Sequence, residues 1–139
     1  MKKRILSIIS LLILISIFAV SCSEKGTDPT NTPNKGIQTY QGNWKVDGQD
    51  VNQTPINGTI TIASDGTITG NVPPIVNEDQ PITKDKITDK GNETYEINMS
   101  EYMIYEFTFS SDNSGSFKIF VSAPGGNKYE GGSGTLTRQ

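Results

Sequence analysis

The chain reads as an all-β domain, and three observations carry that reading. Apolar residues between Tyr40 and Thr137 alternate with polar ones instead of recurring at helical spacing. Tight turn sequences interrupt the alternation about every ten residues, a spacing typical of small all-β domains. Glycines at 42, 58, 70, 131, 132 and 134 sit inside the alternating runs, where strands of a small barrel must bend and approach closely. An antiparallel up-and-down meander of about eight strands, closed into a barrel, satisfies all three, since closure removes exposed edges. A β-sandwich is the alternative.

The elements follow in order. Tyr40, Trp44 and Val46 share one face with Gly42, opposite Gln41, Asn43 and Lys45, which makes the first half-buried strand. Ile56, Ile60 and Ile62 line the second, with Thr59 and Thr61 on its other side. Ser64-Asp65-Gly66 then supplies a turn with glycine in the left-handed position, and Ile68 and Val72 resume a third strand. Pro73-Pro74 ends it. Asn77-Glu78-Asp79-Gln80-Pro81 is a polar loop, so Ile82 to Thr88 makes at most a short edge strand. Tyr95, Ile97 and Met99 alternate with Glu96 and Asn98 as the fifth. After a turn at Ser100-Glu101, Met103, Tyr105, Phe107 and Phe109 form the most aromatic stripe of the chain. Asp112-Asn113-Ser114-Gly115 turns it into Phe117, Ile119 and Val121, and Pro124-Gly125-Gly126-Asn127 turns that into a Gly-rich eighth strand, Tyr129 to Thr137, with Leu136 inward.

Gly42-Asn43-Trp44 resembles the Gly-x-Trp signature of the lipocalin and calycin superfamily, and Gly58 to Ile62 followed by Asp65 to Gly70 is similar to strands two and three of avidin-like barrels. The resemblance implies a lipocalin-like barrel whose Trp44 packs across one end, with Arg138 in the place of the late arginine that covers it. Avidins line their biotin pocket with several tryptophans; Trp44 is the only one here, so biotin is not an expected ligand.

Ahead of the domain, Lys2-Lys3-Arg4 precedes an apolar run from Ile5 to Val20, the basic and hydrophobic regions of an export signal. Ala19-Val20-Ser21-Cys22 resembles the lipobox of bacterial lipoproteins, which implies cleavage after residue 21 and acylation of Cys22 by diacylglycerol and a further chain, palmitate being a usual one. An ordinary cleaved signal, or an uncleaved anchor, would be the alternative; the first leaves Cys22, the only cysteine, as an unpaired thiol. Ser23 after the cysteine, with no Asp there, points by the same resemblance to the outer membrane, its surface and periplasmic faces both open. Residues 22–39 contain one large apolar residue, Ile37, and read as a disordered tether of roughly 20–25 Å reach. Residues 40–139 form the domain.

Loss of residues 1–21 moves the balance from 12 basic against 15 acidic residues to 9 against 15, a net of −6. With its lysines scattered singly, this composition disfavours nucleic acid as a partner. The chain has no histidine, which excludes Ser-His-Asp and Cys-His catalysis and the usual zinc sites. Glu93, Glu96, Glu101 and Glu106 are read as solvated surface rather than as a carboxylate pair, so the expectation is a protein that is not an enzyme and needs no cofactor or metal.

Function is then expected from binding. Trp44, Tyr95, Met103, Tyr105, Phe107 and Phe109 either fill a small barrel or line a partly open apolar cup that holds one small apolar ligand. On the outer face, Tyr102, Ile104 and Phe120 are expected to be exposed together as a patch for a protein partner. The two readings, ligand carriage and a surface interaction module, part on whether the interior is empty.

Overall fold

The structure is a computed structural model, and it describes residues 35–123 and 125–139. The export signal, Cys22 and the tether up to residue 34 lie outside the described residues. The strands are β1 (Gly42–Asp50), β2 (Pro55–Ile62), β3 (Ile68–Gly70), β4 (Ile87–Gly91), β5 (Thr94–Ser100), β6 (Met103–Ser111), β7 (Ser114–Ser122) and β8 (Lys128–Arg138). All eight join one antiparallel sheet in the order β3-β2-β1-β8-β7-β6-β5-β4. It is a curled half-barrel rather than a sandwich.

First and last strands pair directly, Trp44 opposite Arg138 and Asp50 opposite Gly132. Glycine makes that pairing possible. Gly48 and Gly134 face each other across β1 and β8, and the Phe117 ring from β7 lies against both. A Cβ at Gly48 would come within 2.7 Å of Phe117 Cζ, and one at Gly134 within 2.6 Å of its Cε1. The ring therefore occupies the volume that side chains would need.

The sheet's edges are β3 and β4, which do not pair with each other. The gap is bridged by the chain between them. Ile68 and Ile82 exchange two backbone hydrogen bonds of 2.9 Å, and Val72, Ile75, Val76 and Ile82 are all buried in the core. Asn77 to Pro81 is exposed, as a polar loop should be. The expected edge strand at Ile82 to Thr88 is displaced: Lys84–Lys86 is a 3-10 turn and β4 starts at Ile87.

The boundary expected at Tyr40 also moves. Ile37–Tyr40 is a 3-10 turn, not tether and strand, with Ile37 and Tyr40 both buried. Ile37 is the one large apolar side chain of the expected tether, and burying it draws residues 37–39 into the domain. This turn covers the end of the half-barrel where β1 begins, hereafter the entry end. Tyr40 stacks on Phe109 with centroids 3.8 Å apart, Trp44 meets Phe109 edge-on at 5.0 Å, and Trp44 Nε1 donates to the Tyr40 carbonyl at 2.8 Å. Arg138 sits outside this cluster, its guanidinium carbon 5.7 Å from the Trp44 ring centre, and donates to the carbonyls of Gln41 and Asp112. The stack expected of Arg138 over Trp44 is thus present as geometry.

Gly134→Ala is expected to destabilise the fold by roughly 1–3 kcal/mol, because the new methyl meets Asp47 backbone and the Phe117 ring. Gly131→Ala, whose methyl meets only the tip of exposed Val121, should stay within about 0.5 kcal/mol of the parent. Urea midpoints of the two variants check both.

Candidate functional site

Of the six residues expected to line a cup, five are core. Trp44, Tyr95, Tyr105, Phe107 and Phe109 are at most 3% exposed, and Met103 is half-buried against them. Their surfaces are spent on one another: Tyr40, Trp44, Tyr95 and Phe109 interlock, and the Tyr105 hydroxyl donates to the Pro74 carbonyl of the bridging segment. The side chains thus pack against one another as part of the core.

The expected outer patch needs correction. Tyr102 is exposed, but Ile104 is only 9% exposed and Phe120 is half-buried. They do face outward as a cross-strand pair of β6 and β7. Lys128 of β8 pairs with Glu96 of β5 at 3.7 Å, across the two strands between them. Glu96 also lies 3.8 Å from Lys90, and Glu106 stands opposite Lys118. Glu93 serves the fold, accepting the Tyr40 hydroxyl at 2.6 Å.

A different apolar surface exists. The exposed large hydrophobic residues among those described are Val51, Tyr102, Val121 and Tyr129, and they share one location. Val51 follows β1 and its N–H donates to Gly131 of β8; Tyr129 is the register partner of Val121; the Ser122 N–H donates to the Tyr102 carbonyl. Four neighbouring strands, β1, β8, β7 and β6, each bring one to the same rim. That rim is at the far end, a whole strand length from the 3-10 turn of Ile37–Tyr40. Alternation assigned Val121 to the core and left Val51 and Tyr129 unremarked, because period-two patterning specifies a face but not where along the strand the core stops.

The rim is acidic at its border. A shallow cleft of about 240 Å³ beside Val51 is lined by Asp50 and Glu130. Backbone N–H groups of Thr54 and Asn52 bond the Asp50 carboxylate and hold its pKa below the usual carboxylate value. Lys118 and Lys128, the nearby cations, are ion-paired with Glu130 and Glu96, whereas Asp50 and Glu101 have no ion pair among the described residues.

A second cleft, of about 100 Å³, opens at the seam between the sheet edges, among Ile37, Gln38, Lys84, Ile87, Asp89 and Tyr95. Of the six residues expected to line a cup, Tyr95 alone lines one of these two clefts.

No protein-family model matches the chain, and no curated protein sequence does. It is similar to a solved structure described as a redesigned beta barrel, with 16% identity over 75% of this chain and 95% of that one and a TM-score of 0.47.

The buried tyrosines give the fold an alkaline limit. Tyr95 is pushed up to about 12 by burial and then by the carboxylates of Asp89 and Glu93, and Tyr105 to about 12 by burial alone, from an ordinary 10.0. Between those values the folded protein keeps phenol protons that the unfolded chain has lost, so stability falls as pH rises. Urea midpoints are expected to show no contribution from these two groups to pH dependence below about pH 9 and a steady loss from pH 10 to 12, accompanied by delayed tyrosinate absorbance in the folded state.

Proposed function

We propose that the mature chain is an outer-envelope lipoprotein, anchored through acylated Cys22, that acts by docking a partner protein on its far rim and not by catalysis or by carrying a ligand inside. One observation carries this reading: Val51, Tyr102, Val121 and Tyr129, all exposed, lie on one rim at the end remote from the 3-10 turn of Ile37–Tyr40. Apolar side chains gathered on one rim, beside tyrosines that offer both a ring and a hydroxyl, are the composition of an interface core. The packed aromatic interior weighs against the alternative of small-ligand carriage, which needs space beneath Trp44.

The partner is defined by complementarity. An apolar face bordered by lysine or arginine side chains would meet the rim and the unpaired Asp50 and Glu101 together. The described residues begin at the entry end, so the far rim is the end remote from residue 35.

A photo-reactive amino acid in place of Tyr129, in the acylated chain expressed in its own organism, is expected to give one specific protein adduct. The same group at Asn113, on the entry end, should give none. Adding Tyr102→Ser and Val121→Ser should cut the adduct about tenfold, as loss of two interface anchors does, and raising salt should weaken it. An adduct of equal yield from both positions, a crosslink only between two copies of this chain, or a lipid retained in the native mass spectrum would each overturn the reading.

A further inference from the structure

We infer that the seam cleft of the half-barrel is a binding site for a small aliphatic ammonium group. The cleft lies between the edge strand β4 with its neighbour β5 and the 3-10 turns of Lys84–Lys86 and Ile37–Tyr40. Ile37 and Ile87 give it apolar walls. Gln38, Asp89 and Tyr95 each bring to it an oxygen with acceptor capacity unused among the described residues.

Gln38 is the most telling of them. Its Nε2 donates to the Lys35 carbonyl at 3.2 Å, which fixes the amide and leaves Oε1 buried with no hydrogen-bond partner among the described residues. An orphaned buried acceptor of this kind costs about 1–3 kcal/mol, a cost that an incoming N–H removes. Tyr95 has no hydrogen-bond partner for its hydroxyl among the described residues, and the Asp89 carboxylate uses one oxygen for the Gly91 N–H, at 2.7 Å, leaving the other. Asp89 has no ion pair among the described residues, whereas Glu93, which also acts on the Tyr95 phenol, is paired with Lys35 at 3.9 Å. Lys84 is the one cation lining the cleft, but its stem runs along the turn at Gly66 and its charge acts on Asp65.

Three acceptors, one of them the Asp89 carboxylate with no ion pair among the described residues, and apolar walls call for a ligand with several N–H donors, a positive charge and a short hydrocarbon body. An alkylammonium supplies all three, its head carrying three donors. A 100 Å³ cleft holds about four or five heavy atoms, scaled from an engineered cavity of about 150 Å³ that takes benzene. Butylammonium has that size, and so does the end of a lysine side chain. The inference is independent of the far rim, which lies at the other end of the strands.

The test is a titration of the acylated chain in detergent, with its isoleucine methyls labelled for NMR. Butylammonium chloride should give saturable shifts at Ile37 and Ile87 in the millimolar range. Isosteric butanol, and sodium chloride at equal ionic strength, should bind at least tenfold more weakly or not at all. N-acetyl-lysine amide distinguishes the sources: shifts equal to those of butylammonium identify a peptide lysine as a competent ligand, and shifts from butylammonium alone identify a free amine. Asp89→Asn and Gln38→Leu should each weaken binding about tenfold while the remaining methyl spectrum keeps its dispersion. Equal binding of butanol, unchanged affinity in both variants, or no saturable shift, as when only a water fills the cleft, would overturn the inference.

Discussion

The fold depends on the ladder between its first and last strands. Without it, β1 to β3 and β4 to β8 would be two ribbons, a three-stranded and a five-stranded one, each with an apolar face and nothing to bury it against. The ladder's closest approach is at Gly48 and Gly134, where no side chain intervenes and the Phe117 ring from β7 lies over both. An aromatic ring laid on glycine backbone replaces the contacts the glycines cannot make, while tightening the curl of the sheet. The entry-end cluster of Tyr40, Trp44, Phe109 and Arg138 is possible because β1 and β8 stand side by side, Trp44 being the register partner of Arg138.

Most of the sheet was legible in the sequence, and the reason is physical. Strands buried on one side must alternate, so β1, β2 and β5 to β8 announce themselves, with hairpins at Asp65-Gly66 and Asp112-Asn113 marking their joins. The segment from Val72 to Lys86 has no such regularity. It contributes Val72, Ile75, Val76 and Ile82 to the core one or two at a time, from turns, and a period-based reading has nothing to detect there. Ile37 was missed for the same reason: an isolated apolar residue in a polar stretch looks like tether until it is seen to have a partner.

The surface was less legible than the core. Alternation placed Ile104 and Phe120 on the outer face, but facing outward does not make a residue exposed, and tertiary pairs such as Lys128 with Glu96, three strands apart, have no sequence signature. The far rim was hidden differently. Val51 lies in a loop, Tyr129 at the start of a strand and Val121 at the end of one, and only the register of β1, β8, β7 and β6 brings them together. The seam cleft could not be read at all, since only the fold brings its lining residues together.

The ladder around β1 also decides how the domain would bear load. Its eight register pairs with β2 and seven with β8 run parallel to a line from the entry end to the far rim. A pull applied between residue 35 and that rim would act along the strands, so these rungs would be sheared together and share the force. A pull between residue 35 and the C-terminal tail, which bonds Asn43 through the Gln139 N–H, would instead open the same ladder from its end, one rung after another. The same set of hydrogen bonds is mechanically stiff in the first direction and soft in the second.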